Sequence, residues 1–214
     1  MSDNDLLTRK GFVVCGALVY WTGVLIHAYR IRRHIGKSPN VRPRGLKERI
    51  LWLGWFSVII GWILQPLIIN KQEGTFLFSF IDTLYHPLGI IWGVLLALCG
   101  YAGTLWCYAV LGENWRMGID RNERTALITH GPYRYVRHPI YLFQILILSG
   151  MILLLPTPFS FLILLIHMVC VVIKALDEEE YLSSMHGAEY RSYLSHTGML
   201  FPSINALFHS FRKH

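Results

Sequence analysis

The sequence predicts an all-α, polytopic membrane protein of about five transmembrane helices. Three observations carry the prediction. Of the 214 residues, 53% are hydrophobic, and the mean hydropathy is positive, +0.40. The apolar residues come in long blocks, and a hydrocarbon core about 30 Å thick needs roughly 20 mostly apolar residues in a helix. Segments rich and poor in Lys and Arg alternate along the chain, as successive crossings require. The length suits one integral membrane domain, 1–214, with three N-terminal spans in 11–110 followed by a distinct portion, 111–202.

The first span is expected over Gly11–Tyr29 and the second over Ile50–Ile69. The third, Leu84–Leu111, is long enough to tilt or to extend past the bilayer. The fourth, Ile140–Leu155, and the fifth, Phe159–Ala175, are separated only by Pro156-Thr157-Pro158. Two prolines cannot continue a regular helix, so these spans form a tight helical hairpin. One helix from Ile140 to Ala175 would be far too long for a single crossing. A further helix is expected beyond the fifth span, in the cytoplasm.

Every Lys and Arg except Arg9, Lys10, Lys71 and Lys174, which lies at the end of the fifth span, falls in the loop after the first span, the loop after the third, or the C-terminal segment. The first loop holds Arg30, Arg32, Arg33, Lys37, Arg42, Arg44, Lys47 and Arg49. The second holds Arg116, Arg121, Arg124, Arg134 and Arg137. The loop after the second span has only Lys71, with Glu73 and Asp82. The positive-inside rule then places the N-terminus outside and the C-terminus in the cytoplasm. Arg9 and Lys10 count against this, and Asp3 and Asp5 partly offset them.

The net charge of +7 is accounted for by anionic lipid headgroups near the basic loops. No nucleic-acid-binding module is visible, and no nucleic-acid partner is expected. Cys15, Cys99, Cys107 and Cys170 all lie in apolar spans without a CxxC pair. They read as small buried apolar residues, and no metal site or disulfide framework is expected. The first span lacks a basic n-region followed by a small-residue cleavage site, so it reads as retained. The oligomeric state is not encoded in any recognisable pattern.

Chemistry concentrates between Leu111 and Leu142, where polar residues interrupt two spans. Gly131-Pro132 marks a sharp turn. His138-Pro139 marks the start of the fourth helix, because the residue before proline avoids the α region and proline suits the first helical turn. Arg134, Arg137 and His138 therefore sit at the mouth of that span. Singly, they read as snorkelling anchors, and Tyr133, Tyr135 and Tyr141 as an interfacial belt. Together they mark a site, because ionisable groups at membrane depth are costly. A second cluster, Asp177 to Glu180, emerges directly from the fifth span. On a continuing helix Glu178, Tyr181 and Leu182 share one face, and Glu179, Leu182 and His186 another. Gly187 bends or ends this helix. An acidic collar on a surface of anionic lipid is unfavourable unless Arg134, Arg137 or His138 pairs with it.

These residues resemble the isoprenylcysteine carboxyl methyltransferase and phospholipid methyltransferase superfamily of membrane enzymes. The resemblance rests on Leu111-Gly112 with Trp115, Gly131-Pro132-Tyr133, and Arg137-His138-Pro139 with Tyr141. It extends through Glu178-Glu179 with Leu182, Gly187, Tyr190, Tyr193 and Pro202. It makes 111–202 a methyltransferase-like catalytic core. It implies S-adenosylmethionine as methyl donor and a lipophilic acceptor entering from the bilayer. It also implies cofactor contacts at His130, Gly131, Tyr133, Arg137, His138, Pro139, Tyr141 and Glu178 or Glu179, with acceptor contact and catalysis at Arg134, Arg137 and Glu179. One departure is Phe143, where the family often has glycine; it would crowd the cofactor or wall its adenine pocket.

Transfer from a sulfonium is an in-line displacement, so positioning supplies much of the rate. The donor's positive sulfur suits carboxylates, carbonyls or an aromatic face, and its carboxylate suits a cation such as Arg137. An acceptor carboxylate needs only an arginine to align it. An acceptor amine needs a group to take its proton, for which His138 or Glu179 qualify. The first functional expectation is an isoprenylcysteine carboxyl O-methyltransferase-like enzyme, and the second a phospholipid headgroup amine N-methyltransferase. An NADPH-dependent sterol-reductase-like enzyme and a non-enzymatic membrane protein on the same scaffold are further alternatives. Of Glu178 and Glu179, Glu179 is expected to face the site and Glu178 to stay near solvent or support its partner.

Overall fold

The computed structural model describes residues 3–36, 43, 45–69, 75–115 and 126–203. Lys37, Arg42, Arg44, Lys71, Glu73, Arg116, Arg121 and Arg124, used above for orientation, lie outside the described residues. Among those described, six α-helices follow in order: α1 (Asp3–Ile35), α2 (Leu46–Ile68), α3 (Leu88–Leu111), α4 (Pro139–Leu154), α5 (Pro158–His186) and α6 (Ala188–His196). No strand is present among them. Four helices, α1, α2, α3 and α5, are long and apolar enough to cross a membrane, and α4 is a shorter apolar helix. Their exposed faces carry Leu18, Leu25, Leu53, Ile91, Leu98 and Leu165, which hydrocarbon solvates as well as protein does.

The helix ends follow local chemistry. Pro139 and Pro158 open α4 and α5 at the position where a missing N–H is harmless. Thr157 caps α5: its hydroxyl accepts the backbone N–H of Ser160 at 3.2 Å. Gln65 of α2 donates to Thr157 Oγ1 at 2.9 Å and to Ser160 Oγ at 2.5 Å. The α4–α5 hairpin turn is therefore closed by buried polar groups that satisfy one another. α5 runs past the apolar block to His186, and Gly187, at φ +53°, separates it from α6.

The residues divide into two compact units. One contains Met1–Leu25, Pro43–Tyr101 and Gln144–Cys170. In it, α3 and α4 approach backbone to backbone. A Cβ on Gly93 would sit 2.8 Å from the Gly150 carbonyl, and one on Gly150 would sit 2.5 Å from the Gly93 carbonyl. This unit also explains Arg9. The side chain is fully buried within α1, not placed at a span's edge. Its Nε donates to Asp5, its Nη1 to the Leu153 and Leu154 carbonyls at 3.2 and 3.3 Å, and its Nη2 to the His86 carbonyl at 2.7 Å. The guanidinium lies 4.2 Å from the centroid of the Tyr85 ring. Lys10 donates to the Ile69 carbonyl. The start of α1, the end of α2, the start of α3 and the end of α4 thus meet, so successive helices alternate in direction. The second unit contains Ile26–Arg42, Ala102–Phe143 and Val171–His214, and it holds both clusters singled out in the sequence.

Candidate active site

Gly131 begins the site. Its φ is +61°, a conformation L side chains rarely adopt. A Cβ there would also lie 2.8 Å from Val110 Cγ2 on α3. A 3₁₀ turn over Gly131–Arg134 follows, and then a short extended stretch. Val136 bridges Gly198, the Arg137 N–H donates to the Gly198 carbonyl at 2.9 Å, and the His138 N–H donates to the Met199 carbonyl at 3.1 Å. The backbone before α4 is thereby pinned to the chain after α6, which sets the Arg137 and His138 side chains on a fixed base.

The end of α5 meets this base. Arg137 Nε donates to Glu179 Oε1 at 2.7 Å. Arg137 Nη1 also donates to the Thr197 carbonyl and, at 3.5 Å, to the Leu194 carbonyl. His138 lies between two carboxylates, with Nδ1 3.3 Å from Glu178 Oε2 and Nε2 3.4 Å from Glu179 Oε1. Tyr141 donates its hydroxyl to Glu178 Oε1 at 3.0 Å, and its ring stacks on the His138 ring with centroids 5.7 Å apart. Tyr193 donates to the Tyr133 carbonyl at 2.5 Å.

Burial alone would push the His138 pKa down. The two carboxylates beside it, Glu178 and Glu179, outweigh it and raise the pKa above its ordinary value. His138 is therefore held as imidazolium to higher pH than a free histidine. Burial raises the Tyr190 and Tyr193 phenols, so both stay protonated donors. Two buried polar atoms here have no hydrogen-bond partner: His138 Nε2, misaligned with Glu179, and Tyr190 Oη. An unmet buried donor costs about 1–3 kcal/mol, a cost that a hydrogen bond to a bound polar group would relieve. Donors beside carboxylates suit a ligand carrying both a cationic sulfur and polar groups, as S-adenosylmethionine does.

The structure brings Arg137, His138, Tyr141, Glu178 and Glu179 into one cluster, with Gly131, Tyr133 and Pro139 forming its frame. It does not bring in His130 or Arg134. Both are exposed, and the Arg134 guanidinium lies 6.0 Å from the Tyr135 ring centroid. The division between Glu178 and Glu179 is less sharp than expected: Glu179 pairs with Arg137, and Glu178 meets Tyr141 and His138. Both reach the 137–141 segment, because that segment spans more than one face of α5. Arg137, expected to meet a ligand carboxylate, commits its Nε to Glu179. The Phe143 ring packs on Gly103 of α3, where a Cβ would clash with Phe143 Cε1. Tyr190 was legible only as part of the resemblance. Its i,i+3 spacing to Tyr193 was the available sign that both share a face of α6.

The sequence model of the family described as phospholipid methyltransferase matches residues 88–189. The cobalt-zinc-cadmium resistance protein CzcN of Cupriavidus metallidurans is 29% identical over 101 residues, which cover 46% of this chain. The match spans 39% of that relative's length. Among the described residues, no group of three or more His, Cys, Asp and Glu side chains is placed to hold a metal ion.

Proposed function

From the membership of residues 88–189 in the phospholipid methyltransferase family, within the isoprenylcysteine and phospholipid methyltransferase superfamily, we propose that this integral membrane protein transfers a methyl group from S-adenosylmethionine to an amine on a membrane lipid. The observation that carries the amine assignment is Glu178, a carboxylate that accepts from Tyr141 and, among the described residues, pairs with no guanidinium. Two carboxylates converge on one imidazole, and the guanidinium beside them is already paired with Glu179. With His138 held as imidazolium the cluster is close to neutral, and Glu178 remains to take the proton that an amine acceptor sheds and a carboxylate acceptor does not.

Bound S-adenosylmethionine supplies an electrophilic methyl on a positively charged sulfur. The chain's own residues do the rest. Tyr190 Oη and His138 Nε2 offer donors to the cofactor's polar groups, and the carboxylates complement its positive charge. Glu178, bonded to Tyr141 and not to a guanidinium, takes the proton that an amine sheds on methylation. His138 is a poor base because its two carboxylate neighbours favour the imidazolium. Arg137 and Glu179 hold the 137–139 backbone against the segment after α6 and keep these groups in register.

A second reading, O-methylation of an isoprenylcysteine-type carboxylate, draws on Arg134. It is exposed next to the cluster's 3₁₀ turn and could align an incoming carboxylate. The test uses the purified chain in detergent with labelled S-adenosylmethionine, labelled NADPH, and acceptors presented in mixed micelles. The proposal expects binding of the first and not the second, with label passing to a lipid bearing a primary amine. Label passing only to a prenylated cysteine carboxylate would establish the second reading. Binding of NADPH alone, or of neither, would remove the methyltransferase reading altogether.

A further inference from the structure

Outside the family-matched residues, the last turns of α1 form a groove of about 600 Å³ lined by Ile26, Tyr29, Arg30, Arg33 and His34. Their spacing of i, i+3, i+4, i+7 and i+8 puts all five on one face of the helix. Arg30 and Arg33 are exposed, and no carboxylate among the described residues pairs with either. His34 Nε2 lies 2.7 Å from Glu113 Oε1.

This end of α1 is held in place. The His27 ring stacks on Tyr108 of α3 with centroids 4.5 Å apart at 10°, and meets Trp115 edge-on at 4.9 Å. Tyr108 and Trp115 are 5% and 3% exposed. The two arginines thus project from a clamped helix end, which lowers the cost of ordering them around a ligand.

We propose that this groove holds the phosphodiester of a membrane phospholipid. A guanidinium matches phosphate oxygens with two parallel donors, and two guanidiniums one turn apart can grip one phosphate. Ile26 and Tyr29 continue the apolar run of α1 beneath them, so acyl chains can follow the same face into the bilayer. A free anion would use the arginines and leave that apolar floor unmatched. The site does not depend on methyl transfer.

The experiment measures retention of phosphatidylethanolamine and of diacylglycerol, its phosphate-free counterpart, on the full chain by native mass spectrometry from nanodiscs. Arg30→Gln with Arg33→Gln should weaken phosphatidylethanolamine retention about tenfold and leave diacylglycerol unchanged. Arg32→Gln is the control, because Arg32 is exposed but lies off the groove face. Equal losses for the Arg32 variant and the groove variants would reduce the effect to general attraction for anionic surfaces and overturn the site. Equal retention of diacylglycerol and phosphatidylethanolamine by the unmodified chain would also overturn it. If the unmodified chain transfers no methyl while the groove variants still lose phosphatidylethanolamine selectively, the groove stands and the proposed enzyme activity falls.

Discussion

Neutralising Glu178 and Glu179 one at a time should separate a proton acceptor from a clamp. Glu179 holds Arg137 at 2.7 Å, with the two side chains 15% and 11% exposed. The same guanidinium donates to carbonyls at the end of α6. Glu179 thus fixes the C-terminal segment through Arg137. A charge-assisted bond this short and this buried contributes about 1.5–3 kcal/mol, above the ~0–1 kcal/mol of a solvated ion pair. Glu179→Gln keeps the shape and one acceptor oxygen but removes the charge. A loss of about 2 kcal/mol shifts the balance between docked and released segment by roughly 30-fold. Amide hydrogen exchange over residues 188–199 in nanodiscs should quicken by about that factor. Glu178→Gln should leave this exchange near wild type and lower kcat at saturating methyl donor. Glu180→Gln, on an exposed position, should change neither. Fast exchange in the Glu178 variant with none in the Glu179 variant would refute the assignment of roles. Small, equal effects at all three positions would leave only a surface collar.

Arg9→Met should destabilise the protein by about 3–5 kcal/mol, because it strips a buried network of its guanidinium and leaves three carbonyls without their donor; a denaturation series in detergent reads this. The raised pKa of His138 adds stability that is fully present below the ordinary value of 6.5 and is lost as pH rises through the raised value. His138→Gln should flatten that decline in the unfolding midpoint between neutral and alkaline pH, and an unchanged slope would show that another group causes it. Gly103→Ala should cost about 1–3 kcal/mol by forcing the Phe143 ring aside, and Phe143→Ala in the same chain should restore most of it. Cysteine-accessibility labelling is expected to put position 44 on one membrane side and position 71 on the other; finding both on the same side would refute the proposed topology.

The elements most legible in the sequence were those whose cause is local. Pro156-Thr157-Pro158 fixed the hairpin turn, because prolines and a capping hydroxyl act within four residues. The RHP run placed the start of α4 for the same reason. Apolar length located the spans but not their ends: α1 extends past Gly11–Tyr29 in both directions, and α3 begins at Leu88. Polar residues can continue a helix wherever tertiary partners satisfy them. The pairing of Glu178 and Glu179 with the 137–141 segment was legible in kind, from the cost of crowding carboxylates at a membrane. Its geometry was not, because both carboxylates being engaged depends on where the segment crosses α5.

Arg9 and Arg137 show why the remainder was hidden. In the sequence Arg9 counts against the orientation and Arg137 reads as an interfacial anchor or a ligand contact. In the structure each guanidinium joins a nearby carboxylate to backbone carbonyls at the end of a distant helix. Arg9 takes those of Leu153 and Leu154 at the end of α4, and Arg137 those of Leu194 and Thr197 at the end of α6. The last carbonyls of any helix lack intrahelical partners, and where water is scarce they must be met by side chains. Carbonyls carry no mark in the sequence, since every residue has one, so the arginine that will serve a given helix end cannot be read from spacing. The same argument bears on orientation. Arginines consumed in this way are not free to report a membrane side, so Arg9 loses its weight against an external N-terminus, and the inference rests on the loops.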